Sequence, residues 1–84
     1  MPRPRSKPST GFGKRLEELR FSHGRQIGLP NITQGYFADL LGVAGETYGR
    51  WERGETEPSL EVLQRIKRVT RVSLDYLITG ETSA

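Results

Sequence analysis

Two glycines, Gly42 and Gly54, punctuate the stretch T-Q-G-Y-F-A-D-L-L-G-V-A-G-E-T-Y-G-R-W-E-R-G that begins at Thr33. Glycine takes the left-handed backbone conformation that ends a helix without the steric cost other residues meet there. The spacing therefore predicts two short helices, one closing at Gly42 and the next at Gly54. Phe37, Leu40, Leu41, Val43, Tyr48 and Trp51 recur at intervals that put them on the facing sides of this pair. Helices this short cannot be stable alone, so they must pack on each other across a sharp turn, leaving the polar residues of the second helix outside.

The chain has 84 residues. A domain of that size buries about 60–65% of its unfolded surface, so every helix has to contribute to one core. It has no cysteine, which removes disulfides and thiolate metal sites as staples and leaves packing and helix caps. No apolar run follows the basic N-terminal residues as it would in a secretory signal, and no stretch is long enough to span a bilayer. These features lead to the expectation of a soluble cytoplasmic protein with no membrane partner.

Pro2, Pro4 and Pro8 forbid regular helix in residues 1–10, which are expected to form a disordered basic arm. The folded domain is expected over 11–81, with 82–84 as a C-terminal tail. Phe12, Leu16 and Leu19 form the inward stripe of a first helix from about residue 11 to residue 21 or 22, with Gly24 marking its end. A surface loop carrying Gly28 and Pro30 follows. Thr33 can cap the next helix, while Ile32 packs on Phe37 as a hydrophobic staple. Ser59 caps a fourth helix with the stripe Leu60, Leu63, Ile66 and Val69. Ser73 caps a fifth, which is stapled by Val72 on Leu77 and closed by Gly80.

Several spaced motifs occur in order: L-x-x-L-R from Leu16, T-Q at Thr33, A-x-x-L-G-V from Ala38, W-E-R-G at Trp51, P-S-L at Pro58 and V-S-L-D-Y-L at Val72. Together they resemble the Cro and phage-repressor-like helix-turn-helix family, also called the XRE family, over nearly the whole chain. The resemblance implies an all-α fold, a five-helix lambda-repressor-like DNA-binding domain. Its third helix, about Gly45–Arg53, would be the recognition helix in the major groove of double-stranded DNA.

In that frame Gly45, Glu46, Thr47, Gly49 and Arg50 are the expected base contacts. Arg50 leads, because a guanidinium donates two parallel hydrogen bonds to guanine, worth about 1–3 kcal/mol against a wrong base. Glu46 can accept from cytosine, and Thr47 can touch a thymine methyl. The plainer reading of Arg50 and Arg53 is that they are solvated surface charges. Thr33, Gln34 and Arg53 match positions that grip the DNA backbone, where helix N-termini favour anions and contacts fix register without reading sequence. The resemblance also implies a structural ion pair between Arg20 and Glu52, tying the first helix to the third.

Charge is uneven along the chain. Residues 26–64 hold only Arg50 and Arg53 against six acidic side chains, so the positive charge lies at the two ends. Arg3, Arg5, Lys7, Lys14 and Arg15 are therefore expected as further backbone contacts, and five such contacts would give a log-log salt slope of about −4.5. Gly45 and Gly49 offer no side chain to a base, Ala44 stands where a capping serine is usual, and the loop Glu55, Thr56, Glu57 is acidic where many relatives are basic. These departures keep open an alternative, a protein-interaction module such as an antitoxin or adaptor that retains the fold with weak DNA reading.

His23 is the only histidine, with no nucleophile and base placed beside it, so it is read as a surface residue. No enzymatic activity, metal, cofactor or small-molecule ligand is expected. One recognition helix reads only a few base pairs, and the family usually binds as a dimer, so a homodimer on a palindromic operator follows. Tyr76, Leu77 and Ile78 are the candidate dimer contacts. The expected function is that of a sequence-specific transcriptional regulator, acting as a repressor.

Overall fold

Side-chain caps set the starts of three of the five helices. Thr33 Oγ1 accepts from the Tyr36 amide at 3.0 Å, Ser59 Oγ from the Val62 amide at 3.2 Å and Ser73 Oγ from the Tyr76 amide at 3.3 Å. Each cap satisfies an otherwise orphaned donor and contributes about 1 kcal/mol. The computed structural model describes residues 11–81. The expectations for the 1–10 arm, including Arg3, Arg5 and Lys7, and for the 82–84 tail lie outside the described residues. The elements are α1 (Phe12–Gln26), α2 (Gln34–Leu41), α3 (Gly45–Arg53), α4 (Leu60–Thr70) and α5 (Leu74–Thr79). Among the described residues there is no strand. Gly42 and Gly54 close α2 and α3 with φ of 75° and 79°, the left-handed stops that their positions predict.

The first helix runs further than its apolar stripe indicates. Gly24 does not end α1; it is buried inside it, and the helix continues to Gln26. A Cβ at Gly24 would stand 2.4 Å from the Leu29 carbonyl oxygen and 2.5 Å from Ile32 Cγ2. The glycine therefore serves a close approach: the returning loop folds onto α1, and the Leu29 amide donates to the Gly24 carbonyl at 2.7 Å. His23 is likewise not a plain surface residue. It is half-buried, its ring lies 5.8 Å from that of Phe37, and its Nδ1 is buried without a hydrogen-bond partner.

The core is built from Leu16 of α1, Ile32 of the loop, Phe37, Ala38 and Leu41 of α2, Tyr48 and Trp51 of α3, Ile66 of α4 and Leu77 of α5. Phe37, Tyr48 and Trp51 meet edge to face, at 5.5 Å and 5.8 Å between successive centroids, the arrangement that aligns ring edges with neighbouring ring faces. Two expected inward positions point out. Leu40 is exposed on α2, and Leu60 at the start of α4 is 69% exposed, while Val62 packs against the core instead.

Two expected contact residues turn out to hold the bundle together. Arg15 reaches across from α1, where Nε donates to the Leu77 carbonyl at 2.9 Å and Nη2 to the Ile78 carbonyl at 2.8 Å. A guanidinium so placed satisfies carbonyls at the C-terminal end of α5 and suits the negative end of its dipole, so two of the five Arg15 donors are engaged in holding the bundle. Leu77 is fully buried and cannot be a dimer contact, whereas Tyr76 is half-buried and Ile78 is 44% exposed. Arg15→Ala is expected to cost about 1.5 kcal/mol, the low end for hydrogen bonds from a charged donor because the site is half open to water. Urea unfolding measures this, and amide exchange should show the loss concentrated in α5.

Candidate nucleic-acid interface

The turn between α2 and α3 is fixed by backbone bonds. The Gly42 amide donates to the Asp39 carbonyl at 3.1 Å and the Val43 amide to the Ala38 carbonyl at 3.0 Å, which closes α2 and redirects the chain. No side chain caps α3 at Ala44. The first turn of α2 then lies across α3: a Cβ on Gly45 would stand 3.6 Å from the Gly35 Cα, and one on Gly49 would stand 3.2 Å from both Gln34 Oε1 and Arg53 Nη1. Gly49, expected among the outward base contacts, is therefore buried beneath Gln34 and Arg53, because the helix crossing covers it. Gly45 stays exposed.

Glu52 is the node behind this face. It accepts from Arg20 Nε at 2.8 Å and Arg20 Nη2 at 3.2 Å, from Gln34 Nε2 at 2.8 Å, and from the Tyr48 hydroxyl. Arg20 Nη1 donates onward to the Ile32 carbonyl at 2.7 Å, and the Arg20 and Glu52 side chains are only 8% and 5% exposed. Burial by itself would push the Glu52 carboxyl up, but the hydrogen bonds from Arg20, Tyr48 and Gln34 and the Arg20 charge together hold it below the usual carboxylate range. Burial and the bond to Glu52 push the Tyr48 hydroxyl up, so it remains a donor at any ordinary pH.

One carboxylate thus joins α1, the start of α2 and α3. The Arg20–Glu52 pair matches the expectation. Tyr48 and Gln34 as its partners were missed. Tyr48 stands four residues before Glu52, a spacing that puts both on one helix face and was readable; Gln34 carried no such signal. Because Gln34 Nε2 donates one proton to Glu52, a single amide proton is left for anything outside.

Outside, α3 presents Glu46, Thr47, Arg50 and Arg53, all exposed. Arg50 Nη2 donates to Glu46 Oε2 at 2.9 Å, and Arg53 Nε donates to Glu55 Oε2 at 2.8 Å. Thr33 is exposed at the start of α2 with its hydroxyl oxygen engaged as the cap, and Lys14 is exposed on α1. A short polar helix presented on an apolar partner helix, with the amides of a capped N-terminus beside it, is the geometry that docks in a duplex groove.

A helix-turn-helix family model matches residues 25–77, from the end of α1 into α5. The chain belongs to the helix-turn-helix family, of the Cro and phage-repressor type. It is 36% identical over 69 residues to the SPbeta prophage-derived uncharacterized HTH-type transcriptional regulator YonR of Bacillus subtilis, covering 82% of this chain and 57% of that protein. It is 31% identical over 70 residues to the HTH-type transcriptional activator BcrR of Enterococcus faecalis, covering 83% of this chain and 31% of that one. It is 36% identical over 52 residues to repressor protein C2 of Salmonella phage P22, covering 62% of this chain and 24% of the repressor. The chain thus spans little more than half of the first of these relatives and less of the others. No solved structure matches it significantly. Among the described residues, no helix is long and apolar enough to cross a membrane.

Proposed function

We propose that the protein binds double-stranded DNA sequence-specifically through α3 and represses transcription as a homodimer on a near-palindromic operator. The observation that carries this reading is the outward face of α3, four polar side chains held at a fixed angle by the Glu52 node and by the α2 turn that covers Gly49. Glu46, Thr47 and Arg50 then face base edges, with Gly45 allowing close backbone approach. Thr33, the remaining amide proton of Gln34, Arg53 and Lys14 face phosphates. Relatives named as a repressor and as an activator both occur. Repression is favoured here because occupying an operator suffices for it.

Dimerisation is supported by apolar side chains left exposed on α4 and α5. Ile78 and Leu60 are exposed, and a cavity of about 140 Å³ is lined by Phe12, Pro58, Leu63 and Ile78 with Glu57 at its edge. Tyr76 and Ile78 are the dimer contacts on this reading, and they would place half-sites about 34–36 Å apart. One observation favours the second reading, a protein-interaction module: both arginines on the α3 face are paired with acidic side chains, Glu46 and Glu55.

Selection from a pool of random duplexes at about 150 mM salt separates the two, because non-specific phosphate contacts weaken there while base readout survives. An enriched inverted repeat with half-sites one helical turn apart is expected. Uniform recovery would instead favour a protein partner.

A further inference from the structure

The reading face of α3 is smaller than its length suggests. Gly45 has no side chain and Gly49 is covered, which leaves Glu46, Thr47, Arg50 and Arg53, and Arg53 is drawn sideways to Glu55. Two of the remaining three are joined: Arg50 Nη2 donates to Glu46 Oε2 at 2.9 Å across one helical turn, with the side chains 48% and 77% exposed. We propose that Glu46 and Arg50 act as one reading unit that selects two neighbouring G·C base pairs, Arg50 taking the guanine of one pair and Glu46 the cytosine of the next. The inference rests on α3 being the recognition helix.

The donor and acceptor count allows both contacts without breaking the pair. A guanidinium has two edges with paired donors, Nε with Nη2 and Nη1 with Nη2, and Nη2 contributes a separate proton to each. Whichever Nη2 proton goes to Glu46, the other edge keeps both its donors for guanine O6 and N7. On the carboxylate, Oε2 holds Arg50, so Oε1 is the acceptor for the cytosine N4 amino group. Successive bases stack about 3.4 Å apart along a strand. Two side-chain ends bonded at 2.9 Å match that step, whereas more widely separated bases would require the bond to open.

Electrostatics points the same way. A lone carboxylate entering a groove is repelled by the phosphates on both sides, but Glu46 enters as half of a neutral pair with Arg50. The pair also disfavours most alternatives, with adenine, whose N6 amino group is a donor beside the N7 acceptor, the nearest competitor of cytosine at Glu46. Thymine O4 or guanine O6 opposite Glu46 would set two acceptors against each other, and cytosine opposite Arg50 would set two donors against each other.

The test runs the random-duplex selection in parallel on the full-length wild-type, Glu46→Ala and Arg50→Ala proteins. Both side chains are exposed, and equal melting curves would confirm that the variants fold. The wild type is expected to enrich half-sites with two adjacent G·C pairs. Arg50→Ala should lose the guanine preference, and Glu46→Ala should lose about tenfold in preference at the neighbouring cytosine, with the guanine preference also broadened because Arg50 is no longer braced. A wild-type motif without adjacent G·C pairs, or a Glu46→Ala motif identical to the wild type, overturns the coupled unit while leaving α3 as the reader. Absence of any wild-type motif overturns the recognition-helix reading itself, and the coupled unit with it.

Discussion

Gly13→Ala is expected to lower the melting temperature by about 10–20 °C, although alanine is ordinarily the better helix residue by about 1 kcal/mol. Gly13 lies in the first turn of α1, where a Cβ would stand 2.3 Å from the Glu52 carbonyl oxygen and 2.9 Å from the Trp51 carbonyl oxygen. Both neighbours are backbone of α3, which cannot swing aside as a long side chain can. Overpacking of this kind costs about 1–3 kcal/mol, and a backbone clash belongs at or above the top of that range. Net of the propensity gain, about 2–3 kcal/mol is lost, and each kcal/mol moves the midpoint of a domain this size by about 4–8 °C. Gly35→Ala is the control. Only Thr33 Oγ1, at 4.0 Å, lies near a Cβ there, so that variant should be as stable as the wild type or up to about 1 kcal/mol more stable to heat. A Gly13→Ala protein that melts with the wild type would mean that α1 and α3 do not approach this closely.

Glu52→Ala is expected to be the most damaging single truncation at the α1–α3 junction. It strands the Arg20 charge, together with Gln34 Nε2 and the Tyr48 hydroxyl, and breaking one side of a buried pair costs about 3–5 kcal/mol. Small domains have about 5–15 kcal/mol in total, so the variant should unfold at low urea concentrations. The same node predicts a pH dependence. The Glu52 carboxyl is held below its usual range in the folded state. Its contribution is therefore fully present above the unfolded-state value of about 4.3, and is lost as pH falls through the lower folded-state value. Urea unfolding from about pH 7 down to pH 3 should show stability falling with acid in the wild type. Glu52→Gln, which cannot titrate, should lack the Glu52 share of that slope.

Local chemistry was legible in the sequence, and close approaches between elements were not. Thr33, Ser59 and Ser73 cap their helices, and Gly42 and Gly54 stop theirs, because each effect is decided within a turn of chain. Gly24 misled because a glycine between a periodic stripe and a loop reads as a helix end, and only the folded loop shows that Leu29 and Ile32 need the space. Gly49 failed as a base contact for a related reason: periodicity places it on the polar side of α3, but the crossing of α2 covers it. Arg15 looked like part of a basic arm by charge, yet its reach to the α5 carbonyls depends on α1 and α5 lying side by side. Of the candidate site, Glu46, Thr47, Arg50 and Arg53 stand exposed on α3 as their spacing implies. The pairing of both arginines with glutamates was readable for Arg50, four residues after Glu46, and was overlooked.

The most direct measurement of the central claim, that the outward face of α3 is the surface that meets DNA, is a titration of the 15N-labelled chain with a short mixed-sequence duplex at about 50 mM salt. Non-specific binding is strong at that salt concentration and is expected to use the same face, so no operator need be known. The account predicts amide and arginine Nε shifts concentrated at Thr33, Gln34, Gly45, Glu46, Thr47, Arg50 and Arg53, with α5 unmoved. Shifts gathered on α4 and α5, with those seven residues unmoved, would contradict it.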